Sequence, residues 1–185
     1  MVAVWVVLGL VGLVLLLGVL LFNRLVSLRN RVDNGWSQID VQLRRRYDLI
    51  PNLVETVQGY AAHERELFET VAEARSRGLS ASTVGDQARA ENQITSGLRQ
   101  LLAVAESYPD LKANQNFLAL QEELTATESK IAYARQFYND QVMRLNTLVQ
   151  SFPSNAVARL FRFGPREFFD IDEPARGPVQ VDFPS

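Results

Sequence analysis

The sequence predicts an all-α protein with a single N-terminal transmembrane helix. An elongated, antiparallel, up-and-down bundle of three long helices and a short fourth is expected to follow it. The first 22 residues carry no charged side chain. After them, apolar residues recur three or four apart along most of the chain, which is the spacing of a buried helix face. The 185 residues divide into an anchor at 1–22, a bundle at 23–162 and a tail at 163–185.

The anchor is long enough to span a bilayer. As a helix, its residues extend about 33 Å, against a hydrocarbon core of about 30 Å. A cleaved signal peptide would have a basic start, a shorter apolar run and a small-residue cleavage site, and the segment has none of these. Arg24, Arg29 and Arg31 follow the span, close enough to contact anionic lipid. The positive-inside rule therefore predicts a single-pass inner-membrane protein with its N-terminus outside and its C-terminal domain in the cytoplasm.

The first long helix is expected to continue from the span. Its apolar stripe begins at Leu25 and reaches Val71. Pro51 interrupts it, because proline removes a backbone donor and clashes with the preceding turn. A kinked but continuous helix is favoured over a new helix capped by Asp48, since the stripe passes the proline in register.

The remaining helices are predicted from helix-breaking residues and from the spacing of apolar residues. A small, polar, glycine-bearing turn is predicted at 76–85 and a second helix at 86–106. A stripe over five heptads from Phe117 to Phe152 predicts a third helix of about 40 residues. Ser154 is the predicted cap of a short helix at 155–162. Prolines and glycines preclude a regular helix in the tail, which is expected to lie extended on the bundle or to be partly disordered.

Composition and motifs indicate no enzyme. The net charge of −2 does not favour nucleic acid as a partner. The absence of cysteine excludes thiolate metal sites, and the single histidine, His63, rules out a zincin motif. Four carboxylates, at Glu64, Glu66, Glu69 and Glu73, are interpreted as a solvated helix face rather than a cation site. We therefore expect no catalytic residue, no metal and no cofactor.

Three consecutive arginines, Arg44, Arg45 and Arg46, lie about 33 Å beyond the span along a straight helix. This exceeds the Debye length of about 8 Å, so they are not expected to bind headgroups. Two interpretations stay open: pairing with acidic residues of other helices, or a surface for a partner. Together with Phe168 and Phe169 of the tail, the three arginines form the predicted interaction surface.

Four long strings resemble the LemA family. The similarity extends over nearly the whole chain after the membrane span. The strings are RNRVDNGWSQIDVQLRRRYDLIPNLVETVQGYAAHE at 29–64, LLAVAESYPDLKANQNFLALQEEL at 101–124, IAYARQFYND at 131–140 and FPSNAVA at 152–158. The resemblance implies a four-helix bundle behind one membrane helix, and it implies no catalytic residues.

The resemblance also suggests contexts for function. Relatives in this family are linked to magnetosome formation, and others are encoded beside membrane metalloproteases of the HtpX type or TPM-domain proteins. The leading hypothesis is a non-enzymatic, membrane-anchored scaffold or adaptor that forms homo-oligomers and organises the membrane or maintains the envelope. The alternatives are a regulatory subunit or adaptor of a membrane protease in quality control and, less favoured, an enzyme of an unrecognised type.

Overall fold

The computed structural model describes residues 1–171 and confirms the predicted all-α fold. This part of the chain contains six helices and no strand. Of these, only the first is long and apolar enough to cross a membrane. The helices are α1 at Val2–Gln58, α2 at Arg65–Ser80, α3 at Val84–Glu106, α4 at Pro109–Lys112, α5 at Gln115–Gln150 and α6 at Ser154–Leu160.

Helix α1 is continuous from the membrane segment into the domain. Its 57 residues span about 85 Å, and it passes through Pro51 without ending. Proline cannot donate to the carbonyl one turn earlier, which belongs to Tyr47. The Nε of Arg75, on α2, donates to that carbonyl oxygen at 2.7 Å. A side chain from the neighbouring helix thus replaces the backbone hydrogen bond that Pro51 lacks.

The predicted extension of this helix to Val71 is wrong. Helix α1 ends at Gln58, and residues 59–64 form a turn from which α2 folds back against α1. Phe68 and Val71 keep the three-to-four spacing because they face the same core from α2. The turn predicted at 76–85 is correspondingly shorter, since α2 continues to Ser80. The second predicted helix is observed as α3.

Side-chain caps set two helix starts, and one predicted cap is wrong. Thr83 Oγ1 accepts from the backbone N–H of Asp86 at 3.0 Å, which starts α3. Asn114 Oδ1 accepts from two backbone N–H groups at the start of α5. Ser154 is instead the first residue of α6, and its hydroxyl donates to the carbonyls of Leu148 and Ser151.

Helices α1 and α5 form a long antiparallel pair. Tyr60 meets Asn114 at one end, and Leu28 meets Leu148 near the membrane segment. The α2–α3 hairpin packs on the half of α1 farther from the membrane segment, and α6 packs on the nearer half. The bundle is therefore built on two long helices, with shorter elements covering each half.

The described part of the tail, residues 163–171, runs antiparallel to α5. Asn146 pairs through its amide with both backbone polar groups of Arg166, and Asn139 pairs in the same way with Phe169. The two asparagines are about 10.5 Å apart along the helix. Their partners are about 10 Å apart along an extended chain. This match fixes the register of the tail, and residues 172–185 lie outside the described residues.

Candidate interaction surfaces and a buried charge cluster

Two oppositely charged side chains are enclosed in the domain. Arg46 is 1 % exposed and Glu91 is fully buried. Their Nη1 and Oε2 atoms are 2.8 Å apart. Arg46 also donates from Nη2 to Thr95 Oγ1 at 2.9 Å. Because a buried charge is costly without a partner, this ion pair ties α1 firmly to α3.

Further polar groups complete what we call the charge cluster: Arg46, Tyr47, Gln87, Glu91 and Glu128. The second oxygen of Glu91 accepts from the Tyr47 hydroxyl and from the Gln87 amide. Burial, reinforced by the charge of Glu91, raises the pKa of Tyr47 above its ordinary value, so the hydroxyl keeps its proton. Four of the five side chains are buried, and their polar groups are paired mainly with one another.

Glu128 brings α5 into the charge cluster. Its Oε1 lies 2.9 Å from the Nε of Arg46, close enough for ionic attraction but not aligned as a hydrogen bond. Burial raises the pKa of the Glu128 carboxyl above its ordinary value, although the Arg46 charge opposes that shift. The side chain is 40 % exposed, so water screens part of the interaction.

The three consecutive arginines have different environments. Arg44 pairs with Asp40 on its own helix at 2.9 Å, and Arg45 pairs with Glu123 of α5 at 2.7 Å. Arg46 is enclosed in the charge cluster. Intramolecular pairing therefore accounts for all three, and Arg46 offers nothing to a partner in this structure. Arg44 and Arg45 are exposed, so their part in an interaction surface stays a prediction.

The two tail phenylalanines are also separated by burial. Phe169 is fully buried, and its ring meets Trp36 edge-on at 5.3 Å between centroids. It anchors the tail and is not available to a partner. Phe168, its neighbour on an extended chain, is 44 % exposed. Only Phe168 remains as a predicted contact.

The three arginines nearest the membrane segment are all exposed. Arg24 and Arg31 line a shallow groove between α1 and α5, together with Arg144. The guanidinium of Arg29 lies 5.2 Å from the ring centre of Phe163, which restricts its orientation through a cation–π contact. Lipid contact by Arg24, Arg29 and Arg31 stays a prediction, and the structure adds Arg144 to the same end of the domain.

Sequence reasoning missed one surface, which we call the lateral face: Val41 of α1 with Tyr133 and Phe137 of α5. These side chains are 60 %, 75 % and 41 % exposed, and they line one groove between the helices. Tyr133 and Phe137 are four apart and lie outside the heptad stripe of α5. An aromatic pair at that spacing, off the buried stripe, was the available signal.

His63 and the four glutamates near it do not converge on one site. His63 is exposed in the turn after α1, and the four nearby glutamates are exposed as well. Within residues 1–171, no group of three or more His, Cys, Asp or Glu side chains is placed to hold a metal ion. The carboxylates of this region therefore form a solvated surface.

Comparison with known proteins identifies the family. The chain is similar to Magnetosome protein MamQ 2 of Paramagnetospirillum magneticum, at 24 % identity over 180 residues, covering 83 % of this chain and 66 % of the relative. It is also similar to Protein LemA of Metamycoplasma hominis, at 28 % identity over 162 residues, covering 86 % and 73 %. The chain spans just under two thirds of the magnetosome protein. The LemA family model matches residues 35–183, and the chain belongs to the LemA family.

Proposed function

We propose that this membrane-anchored protein is a non-enzymatic scaffold whose copies associate side by side through the lateral face. The observation that carries the proposal is the exposure of Tyr133, Phe137 and Val41 in one groove of the domain. Single exposed apolar residues are ordinary on protein surfaces. Three that converge in a groove between the two longest helices are more typical of an interaction site.

The anchor favours this mode of association. Copies tethered by α1 share one orientation and one height above the bilayer, so a twofold axis along the membrane normal brings identical faces together. Confinement to a surface also raises their effective concentration. A modest apolar face is therefore sufficient for assembly in the membrane. Relatives named magnetosome proteins support a role in membrane organisation.

The test is disulfide crosslinking in native membranes. The chain has no cysteine, so a Gln38→Cys variant carries one reporter thiol in the groove of the lateral face. We expect it to form a crosslinked dimer, and Ser96→Cys, exposed on α3, to remain a monomer. Equal crosslinking at both positions would indicate random collision and reject the proposal.

A second variant tests the aromatic contribution. Tyr133→Ser removes a side chain that is 75 % exposed, so the fold should be unaffected. Burying a large apolar side chain contributes about 1.5–3 kcal/mol, and each copy supplies one. We expect the Gln38→Cys dimer to disappear in the Tyr133→Ser background. Leu118→Ser, at another exposed apolar residue of α5, is the matched control and should leave it intact.

A regulatory subunit or adaptor of a membrane protease is the second candidate, favoured by the exposed Phe168 on the tail. A membrane metalloprotease of the HtpX type or a TPM-domain protein is then the expected partner. Co-purification of a stoichiometric second protein, lost in Phe168→Ser, would support this candidate over the scaffold. Point substitution is preferable to deletion of 163–185, because deletion would also uncover Trp36, which Phe169 covers.

The topology belongs to the same proposal. We place the protein in a bacterial inner membrane with its N-terminus outside and its domain in the cytoplasm, because Arg24, Arg29 and Arg31 follow the span closely. A membrane-impermeant maleimide should leave Ser96→Cys unlabelled in intact spheroplasts and label it after lysis. Labelling before lysis would reverse the topology.

A further inference from the structure

The end of the domain nearest the membrane segment is built from the segment around α6, residues 152–163. The ring of Phe22 meets those of Phe161 and Phe163, at 4.7 Å and 5.8 Å between centroids. Phe22 is the last residue of the apolar run. The α6 segment therefore lies at the depth where α1 leaves the hydrocarbon.

The folded domain begins at the end of the apolar run. Leu21 and Phe22 are half-buried, whereas the side chains before them are exposed. The uncharged run ends at Phe22 and Arg24 follows it, so α1 leaves the hydrocarbon core close to Phe22. The α6 segment consequently meets the headgroup region.

The outer surface of the α6 segment is unusually apolar. Phe152, Leu160 and Phe161 are 87 %, 75 % and 53 % exposed. Phe161 and Phe163 are held by the chain reversal after α6, where Arg162 adopts a φ of 58°. The Phe163 N–H donates to the Ala158 carbonyl at 2.8 Å, which closes the helix end in a Schellman motif. The aromatic side chains therefore project from a defined turn.

Charge is segregated toward the same end. Residues 1–32 and 141–166 contain no Asp or Glu, yet they contain seven arginines. The chain as a whole carries a net charge of −2, so acidic residues are concentrated on the half of the domain away from the membrane. Arg24, Arg159 and Arg162 are exposed around the α6 segment. Guanidinium groups bind phosphate through paired hydrogen bonds.

We propose that the α6 segment is a second membrane-binding element, which docks in the headgroup layer of an anionic bilayer. Phe152, Leu160 and Phe161 insert among the upper acyl chains. Arg24, Arg159 and Arg162 bind lipid phosphates. The proposal does not depend on self-association. A lipid surface is the expected ligand, because the apolar side chains adjoin the membrane span and the charged residues around them are arginines.

Depth-dependent fluorescence quenching tests the docking. The full-length protein carrying Leu160→Cys, labelled with an environment-sensitive fluorophore, is placed in vesicles of phosphatidylcholine and phosphatidylglycerol. We expect quenching by lipids with a spin label near the carbonyl region. The control label at Ser129→Cys should stay unquenched, because Ser129 follows Glu128, whose partner Arg46 lies about 36 Å beyond Phe22 along α1. Absence of quenching at position 160 overturns the proposal.

The two components of docking are separated by further variants. Arg159→Gln with Arg162→Gln should lower the docked-to-undocked ratio about fivefold per arginine in anionic vesicles and by clearly less in pure phosphatidylcholine, where choline balances the phosphate charge. An equal effect in both lipids overturns the preference for an anionic bilayer. Phe152→Ser should reduce quenching in either lipid, whereas Leu118→Ser should not. Equal losses from both serine variants overturn the inserted role of Phe152, and circular dichroism confirms that each variant is folded.

Discussion

Replacing Glu91 by leucine should strongly destabilise the domain, because it leaves the charge of Arg46 enclosed. Removing one member of a buried ion pair typically costs about 3–5 kcal/mol. Here Glu128 still lies 2.9 Å from Arg46, so we expect a loss of about 3 kcal/mol, at the lower end of that range. For a domain of this size, that loss lowers the melting temperature by about 6–12 °C.

The double variant Arg46→Met with Glu91→Leu should recover most of this loss. Replacing a whole buried pair by apolar side chains of similar volume is often neutral or stabilising. The Tyr47 hydroxyl keeps Gln87 as a donor, although it loses its own acceptor. We therefore expect the double variant to lie within about 1.5 kcal/mol of the parent, the cost of about one buried hydrogen bond.

The assay is guanidinium unfolding of the full-length chain at constant detergent, followed by circular dichroism. Glu91→Gln is the isosteric control, because it removes the charge and keeps the shape. A loss below about 1 kcal/mol for Glu91→Leu would be a typical mutational effect and would refute the enclosed charge. A double variant as unstable as the sum of the two singles would show that the residues are energetically independent.

Three other predictions concern single contacts. Because the pKa of Glu128 is raised, the carboxyl of the folded domain keeps its proton at a pH where the unfolded chain has lost it. The free energy of unfolding should therefore fall as the pH rises from 4.5 through the folded-state pKa. Denaturant titrations of Glu128→Gln should show a weaker dependence on pH. Arg75→Ala should lower the free energy of unfolding by about 1–3 kcal/mol, because it leaves the Tyr47 carbonyl unpaired. In a Pro51→Ala background, which restores the backbone donor, the loss should be about 1 kcal/mol smaller. Equal losses in both backgrounds would contradict the compensation. Asn139→Ala should release the tail and uncover Trp36, whose emission should then shift to the red; this is measured in a Trp5→Phe background, so that Trp36 is the one emitting tryptophan. Unchanged emission would mean that the tail stays docked.

Periodicity was sufficient to predict most of the helical content but could not locate the end of α1. The stripe from Leu25 to Ile50 is observed as one buried face, and so is the stripe of α5 as far as Leu148. Its last predicted member is wrong, because Phe152 lies beyond the end of α5 and is 87 % exposed. Phe68 and Val71 continue the spacing of α1 although they lie on a different helix. Apolar spacing records which residues face the core, and two helices on either side of a turn can face the same core in phase.

The environments of the candidate site residues depended on tertiary contacts. Which of three consecutive arginines turns inward is decided by Glu91, a residue 45 positions away. Phe169 is buried rather than Phe168 because the paired amide of Asn139 holds its backbone and Trp36 receives its ring. The residues next to these side chains in the sequence therefore do not determine which arginine or which phenylalanine is buried. The exposed lateral face was missed because Tyr133 and Phe137, although four apart, lie off the stripe that marks the buried face of α5.

The unbroken α1 has a mechanical consequence. A helix without a hinge transmits tilt, so any change in the angle of its membrane portion moves the rest of the domain as a lever. The part beyond Phe22 is about 54 Å long, and a tilt of about 20°, the average for membrane helices, displaces its far end by about 18 Å. Bilayer thickness would thereby set how far the upper end of the domain leans from the membrane normal, and a local thinning of the membrane would move that end sideways.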